Sequence, residues 1–552
     1  MKETRNVQES LLEELRLLDD ERVRYQLEHP SAQLGMEDPD VRRLIEALAY
    51  SSVRTRQTTM RNLFVTWKRL LSAYFHFILQ PLPSMTMLQA VVTPQMTDTV
   101  TLPRGSSMQF RTLDGAVGSF QTLSELRVVP ITLARVELQL TKQGFRLVLM
   151  FLSLHQRGDN LGTIPIHINY LDHYPASLKL HHLLRKHLKE CFVFYDGNFG
   201  PNTSGVRCEV TFGMYFDRPY EDNAQNPLEQ VRTFFHFPSQ DLMVYITIPP
   251  ATQTWNRVYV CMDLDHDFPR DQPLHRDVFR PHTVAVANRY RAFSRTIDCD
   301  GTKDEYPVRF LNNDSTFAME RPLGVYRTTA KGLEPLGHAA LGTFRQAYEI
   351  EEQTSDTRFP SYSLIIRRPE AFMDPQQLVV EAHWYQPLFV NGAVGPVQVI
   401  PLERVAAGLD FRQIGLLSQS LDSPLRQDPD RLLYLLSLKM KPVLQKEELL
   451  DLLEMFASLE RSPFARMTKL LSKITHSIVP DGTLSGAGIR HVYHIELAPH
   501  DDQDTPMLTQ YLLQLANILD AWDYEARVDI RTTPDLIPLK HAEIPRAQRR
   551  TV

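Results

Sequence analysis

The chain has 552 residues, which at roughly 150 residues per domain sets an expectation of about three or four domains. Apolar residues make up 43% and charged residues 23%, enough to bury real cores and too balanced for an intrinsically disordered chain. Sixty basic against 66 acidic residues leave a net charge of −6, which excludes a strongly basic nucleic-acid binder as a whole-chain property. Proline (37) outnumbers glycine (23), so fixed-φ breaks are common and flexible hinges few.

The first 80 residues read as three helices. Leu11, Leu15 and Leu18 give a short apolar face in a charged segment. Asp38-Pro39 is a helix start, with aspartate as N-cap and proline at the first helical position. Val41, Leu44, Ile45 and Leu48 then follow the i, i+3, i+4, i+7 spacing of an amphipathic helix. A third helix carries Met60, Leu63, Phe64, Trp67, Leu70, Leu71, Tyr74, Phe77 and Ile78, a stripe wide enough to need covering by its own bundle or by a partner. Pro81 and Pro83 end helical structure.

From about residue 86 the period changes to that of strands. Val136, Leu138 and Leu140 alternate with polar residues, and Leu147–Leu152 and Leu242–Ile248 are continuous buried-strand runs. The helical segment His181–Lys189 is the main interruption before residue 400. Helix then returns: Asp428-Pro429 repeats the cap, followed by leucines at 432, 433, 435 and 436. Leu449–Phe456 and the group Leu470, Leu471 and Ile474 read as two further helices. Val492–Leu497 reads as a strand, Leu508–Leu519 as a helix and Ala526–Ile530 as a final strand. The expected fold is therefore a multidomain α+β chain. It has a helical N-terminal arm (1–85), a β-rich domain (86–290), a second β-rich domain (291–425) and a helix-rich α+β C-terminal domain (426–552).

Several patterns could carry chemistry. Asp263, Asp265, His266 and Asp267 follow a strand, where a polar turn is the simpler reading than a cation site. Asp298, Asp300, Gly301, Asp304 and Glu305 have their glycine two places too early for a calcium loop. His182 and His187 are spaced i, i+5 and fall on different helix faces, and with His181 they read as surface or internally satisfied histidines. Gly482–Gly488 contains Ser485 but neither a nucleophile elbow nor a phosphate cradle, and reads as a loop before a strand. Cys191, Cys208, Cys261 and Cys299 lack the spacing of a zinc site or disulfide framework. Asn202 and Asn313 lie in glycosylation sequons, which carry no weight because the charged opening stretch lacks the apolar core of a secretory signal. The longest apolar run falls well short of a membrane span. A soluble, reduced, cytoplasmic chain without metal, cofactor or catalytic set is expected. The basic tail with Arg546, Arg549 and Arg550 reads as solvated.

A series of short motifs in order along the chain resembles one family, TssF (VasA/ImpG) of the type VI secretion system. They are Leu12–Arg16 (LEELR), Glu28–Ala32 (EHPSA), Asp38–Tyr50 (DPDVRRLIEALAY), Pro81–Met85 (PLPSM), Leu102–Gly105 with Phe120–Thr122, Val231–Pro238 (VRTFFHFP) and Asp304–Val308 (DEYPV). The resemblance implies a non-enzymatic bacterial baseplate wedge subunit, related to wedge proteins of contractile phage tails. The implied partners are a second TssF copy, TssG, TssK, TssE, the VgrG spike hub and the sheath, with no nucleic acid and no direct membrane insertion. The implied place is the cytoplasm, in a baseplate docked to the inner-membrane complex. With the apolar stripe, it makes Leu44, Leu48, Leu63, Phe64, Trp67, Leu71 and Tyr74 candidate interface residues, the same residues that would otherwise fill an internal core. The residues alone leave two alternatives: a metal-dependent hydrolase using the acidic or histidine groups, and a β-rich binding module presenting Trp384 and Tyr385.

Overall fold

The computed structural model describes residues 2–534 and 536, apart from 32–37, 76, 159, 198–199, 201–202, 204, 214–226, 252–253, 304, 312–313, 343–346, 354–360, 368–374, 393–396, 403–407, 427, 458–461, 482–487 and 523–526. Among the described residues there are eight α-helices: α1 (Lys2–Glu28), α2 (Pro39–Tyr74), α3 (Tyr174–His187), α4 (Pro227–His236), α5 (Phe389–Gly392), α6 (Pro429–Lys439), α7 (Lys446–Ala457) and α8 (Thr505–Trp522). They accompany seven β-sheets, an α+β chain as the residue patterns suggest. It divides into two compact units, residues 1–79 with 425–440 and residues 80–424 with 441–552.

In the first unit α1 and α2 form a hairpin. Asp38 caps α2 by accepting the Asp40 N–H at 2.9 Å, and Pro39 opens the helix. The two helices expected around Val41–Leu48 and Met60–Ile78 are one continuous helix of 36 residues. The polar run Arg54–Thr59 interrupts the apolar pattern but not the backbone, because arginine and glutamine are good helix formers; the Thr58 hydroxyl is accommodated by donating to the Arg54 carbonyl at 2.9 Å. The segment after residue 425, read from the sequence as the start of a C-terminal domain, supplies α6 to this unit, where it packs on α2. Asp428 caps α6 through the Arg431 N–H at 3.1 Å.

In the second unit a six-stranded sheet runs Gln398–Pro401, Ser107–Arg111, Val117–Thr122, Thr283–Ala287, Met85–Val92, Leu409–Ile414, and so closes strands more than 300 residues apart in sequence. A five-stranded sheet centred on Trp255–Leu264 and Gly144–Arg157 and a four-stranded sheet centred on Met243–Ile248 and Gly162–Ile168 contribute to one large core with Leu147, Phe151, Ile166, Ile246, Trp255 and Val260. Leu180 and Leu184 of α3 enter the same core. The hairpin at Lys142-Gln143 needs Gly144: its φ is +140° and a Cβ there would lie 2.2 Å from the Leu264 carbonyl oxygen. A second pair of sheets, built around Gln376–Tyr385 and Ala347–Gln353, encloses Met319, Leu364, Leu378, Val380 and Trp384.

Prolines within strands sit where a missing N–H does least harm. Pro307, Pro401 and Pro480 lie on edge strands and Pro322 beside a bulge. Pro165 is interior, but its carbonyl still accepts the His282 N–H at 2.9 Å. Two motifs meet where the helical arm gives way to sheet. Arg232 donates to the Gln80 carbonyl at 2.6 Å, the His236 ring bonds the Pro83 carbonyl at 2.8 Å, and Leu82 pairs with Leu421.

The C-terminal sheet joins Leu471–Asp481, Gly488–Leu497 and Arg527–Thr533 and is covered by α8, which buries apolar residues on most of its circumference. The helix expected around Leu470–Ile474 is a 3₁₀ segment, Pro463–Leu470, that gives way to a strand. Spacing at 470, 471 and 474 fits either period, and the β-branched Ile474, Thr475, Ile478 and Val479 decide for the strand.

Candidate partner interface

The surface least finished by the chain itself lies on the helical hairpin. Ile45, Ala49 and Val53, one residue per turn, are buried where α2 meets α1, and Ser52 Oγ donates to Glu14 Oε1 at 2.5 Å across the seam. Beside that seam the apolar residues stay uncovered. Leu44 is 61% exposed, Leu48 51%, and Met60, Leu63 and Leu70 are exposed as well. Phe64 and Trp67 are half-buried, with Lys68 Nζ 4.7 Å from the Phe64 ring centroid. Leu71 is fully covered within the chain, which takes it out of any exposed face. The Tyr74 side chain lies outside the described residues.

On α1, Leu12, Leu17, Tyr25 and Leu27 are also exposed, whereas Leu11, Leu15 and Leu18 are half-buried. Sequence reasoning passed over this second set. Its signal was present as leucines on α1 outside the seam positions. An open depression of about 500 Å³ lies along α2 between Leu48, Ser52, Thr55, Thr59 and Met60. Covering an exposed leucine is worth about 1.5–3 kcal/mol, which makes these residues candidates for a partner contact.

The candidate chemical groups are not gathered into a site. Arg146 donates to both carboxylate oxygens of Asp263, at 2.6 and 2.8 Å, and to the carbonyls of Gly200 and Thr203. This bidentate pair raises the Arg146 pKa above its ordinary value, chiefly through the hydrogen bond. Asp265 pairs with His187 Nδ1 at 2.7 Å and accepts the Asp267 N–H at 3.0 Å, closing the turn expected there. His181 is buried against the Met243 carbonyl at 3.1 Å, and burial draws its pKa down to about 4, so the ring is neutral. Asp300 accepts from Thr302 N–H and hydroxyl and from Tyr306 OH, an internally satisfied turn; Asp304 lies outside the described residues.

Among the described residues no group of three or more His, Cys, Asp or Glu is placed to hold a metal ion. Trp384 and Tyr385, expected as exposed aromatics of a binding module, are buried at 2% and 3% exposure. Trp384 lies on the core side of its strand and donates Nε1–H to the Ala292 carbonyl at 3.1 Å. Asn202, Asn313, residues 482–487 and Arg546, Arg549 and Arg550 lie outside the described residues. No described helix is long and apolar enough to cross a membrane.

The candidate acids and histidines of the β-rich unit are thus taken up in internal pairs, while the helical hairpin keeps several leucines exposed, a pattern expected of a structural subunit. Residues 15–332 match the family described as "Type VI secretion system, TssF". That span exceeds half of the chain, and the chain belongs to the TssF family. Among solved structures it is similar to a chain of the type VI secretion system TssK-TssF-TssG baseplate subcomplex, with 16% identity and a TM-score of 0.71 over 90% of this chain and 97% of that one. It is also similar to a chain of the baseplate complex from the type VI secretion system, with 14% identity and a TM-score of 0.56 over 95% of this chain and 96% of that one. No curated protein sequence matches it.

Proposed function

We propose that this chain is the TssF subunit of a type VI baseplate wedge, a structural part that assembles with TssG and TssK. The family match over residues 15–332 carries this reading, and the near-complete overlap with chains of two baseplate structures supports it. In the same proposal a second copy of the chain joins the wedge, and completed wedges meet TssE, the VgrG hub and the sheath on the cytoplasmic side of the inner membrane, docked to the membrane complex. Kinship with wedge proteins of contractile phage tails, and a division into four modules along the chain, belong to it too.

The helical hairpin is the proposed contact surface. Leu44, Leu48 and Leu63 present their side chains outward, and Phe64 and Trp67 flank them. Co-expression with TssG-type and TssK-type chains tests the assignment. The wild type is expected to co-purify, and Leu44→Asp with Leu48→Asp to lose the complex while the β-rich unit keeps its folded spectrum. A chain that stays monomeric beside those partners overturns the reading. Trp67→Asp separates interface from core: loss of assembly alone supports contact, whereas global unfolding assigns Trp67 to the internal packing.

A further inference from the structure

The sheet built on Gln376–Tyr385 has two unlike faces. Leu378, Val380, Ala382 and Trp384 point into the core. The alternate residues Glu381 and His383 occupy the other face, which is lined by arginines from the neighbouring strands Tyr290–Phe293 and Ala318–Thr329. In register, His383 stands directly between Arg291 on one side and Arg321 on the other. Like charges side by side across strands are destabilising, so such a row calls for compensating acids.

The two acids on these strands, Glu320 and Glu381, are already engaged. A bulge between Met319 and Arg321 turns Glu320 inward, where it is 3% exposed and takes the Arg289 guanidinium, with Arg289 Nε at 2.6 Å. Glu381 accepts from Arg291 Nε at 2.7 Å and from Tyr326 OH at 3.0 Å. Arg321 is left with one bond, from Nε to the His383 ring nitrogen Nδ1 at 3.3 Å, and among the described residues no carboxylate forms an ion pair with it. The charges that bear on it are Arg289 and Arg104, which repel it, and Glu320 and Glu229, which attract it without bonding to it. Burial and then Arg289 therefore draw the Arg321 pKa below its ordinary value, and burial with the four arginines holds His383 at about 3. A neutral imidazole can accept the Arg321 proton but cannot neutralise the charge.

A half-buried guanidinium without a carboxylate is a cost to the isolated chain, and among the described residues its Nη1 and Nη2 have no hydrogen-bond partner. Phe293, 37% exposed on the same face, adds an aromatic edge beside the row. Arginine with an aromatic neighbour is the composition of an interface centre. We propose that the row Arg291, His383, Arg321 is a docking site for an acidic segment of a neighbouring protein chain in the baseplate, with an Asp or Glu side chain pairing bidentately with Arg321. The site deepens the wedge reading and rests on it.

The test uses the full chain with its TssG-type and TssK-type partners. Arg321→Met keeps the length of the stem and removes the charge. It is expected to weaken assembly by roughly tenfold or more, to flatten the salt dependence of binding, and to raise the melting temperature of the isolated chain. Arg321→Glu is expected to abolish assembly. Wild-type affinity in Arg321→Met overturns the proposal, as does a fall in its melting temperature, which makes Arg321 a structural residue. An oligonucleotide that binds the wild type and not Arg321→Met also overturns it, because the row then reads phosphate. A wild type that fails to assemble at all sinks the wedge reading itself, whereas assembly indifferent to Arg321 sinks only the docking site.

Discussion

The helical arm and the β-rich unit differ in where they place their charged and apolar residues. In the arm the ion pairs are local: Arg22 with Asp19, Arg24 with Glu21, Arg42 with Glu46, Arg43 with Asp40, each one turn apart and mostly exposed. Pairs of that kind contribute about 0.3–0.5 kcal/mol each and fade with salt. The β-rich unit has exposed pairs too, such as Arg207–Glu190 and Lys473–Glu496, but it adds long-range, largely enclosed ones, Arg146–Asp263 and Arg289–Glu320. Leucines differ in degree: Leu12, Leu17, Leu27, Leu44, Leu48, Leu63 and Leu70 are exposed on α1 and α2, while the sheets bury most of theirs and expose a few, such as Leu140 and Leu154. The β-rich unit holds the large buried clusters, and the helical unit keeps several apolar side chains of α1 and α2 exposed.

The largest expected difference between the units is in their response to acid. Burial holds the imidazoles of His167, His181, His236 and His282 at about 4 and that of His383 at about 3, all in the β-rich unit. An unfolded histidine titrates near 6.5. Between these values the unfolded state binds more protons than the folded state, so stability rises with pH. The stability these five groups contribute is fully present above pH 6.5 and is lost as pH falls from 6.5 toward 4. His29, the arm's one histidine among the described residues, is exposed. Urea titrations at pH 7.5 and pH 5 check this, followed by the fluorescence of Trp255, Trp384 and Trp522 in a Trp67→Phe background. The midpoint is expected to drop steeply at pH 5, and a midpoint unchanged between the two values contradicts buried, neutral histidines.

Next in size is the core. Phe464 is fully buried against Phe234, Phe235, Tyr511 and Tyr174, where α4, α8 and the C-terminal 3₁₀ segment meet. Phe464→Ala is expected to cost about 3–5 kcal/mol in equilibrium unfolding, from lost transfer energy and the cavity left behind. Leu44→Asp, on the exposed arm, is expected to change stability by less than about 0.5 kcal/mol while removing assembly. Equal costs for the two substitutions would erase the distinction between the units.

Much of this division was legible in the sequence, for physical reasons that differ by element. Asp38-Pro39 and Asp428-Pro429 announced their helices because the cap and the first turn are local chemistry. Leu147–Leu152 and Leu242–Ile248 announced strands because a continuous short apolar run suits a sheet covered on both faces. The polar interior of α2 hid its continuity, since an apolar stripe reports burial and not backbone. At the candidate interface, periodicity located the stripe but could not tell Leu44, which is exposed, from Leu71, which is covered. The pairing of Arg289 with Glu320 was not legible, because a bulge sets the direction of Glu320 and the register of distant strands brings Arg289 to it. The placement of 425–440 with the arm is likewise a tertiary fact that no local signal carries.

The smallest predicted effect tests that last placement most directly. Asp38 and Asp428 each satisfy one free N–H at the start of a helix, and each helix belongs to the arm. Replacing either aspartate with alanine leaves that N–H to water and is expected to cost about 1 kcal/mol. The cost should fall on one cooperative transition. Followed by far-UV circular dichroism, Asp38→Ala and Asp428→Ala are expected to lower the melting of the same helical component by similar amounts, with the tryptophan transition of the β-rich unit unmoved. If Asp428→Ala instead shifts the β-rich transition and spares the helical one, α6 folds with the C-terminal elements that follow it in sequence. The arm is then the α1–α2 hairpin alone, with less buried surface and a greater dependence on its partners.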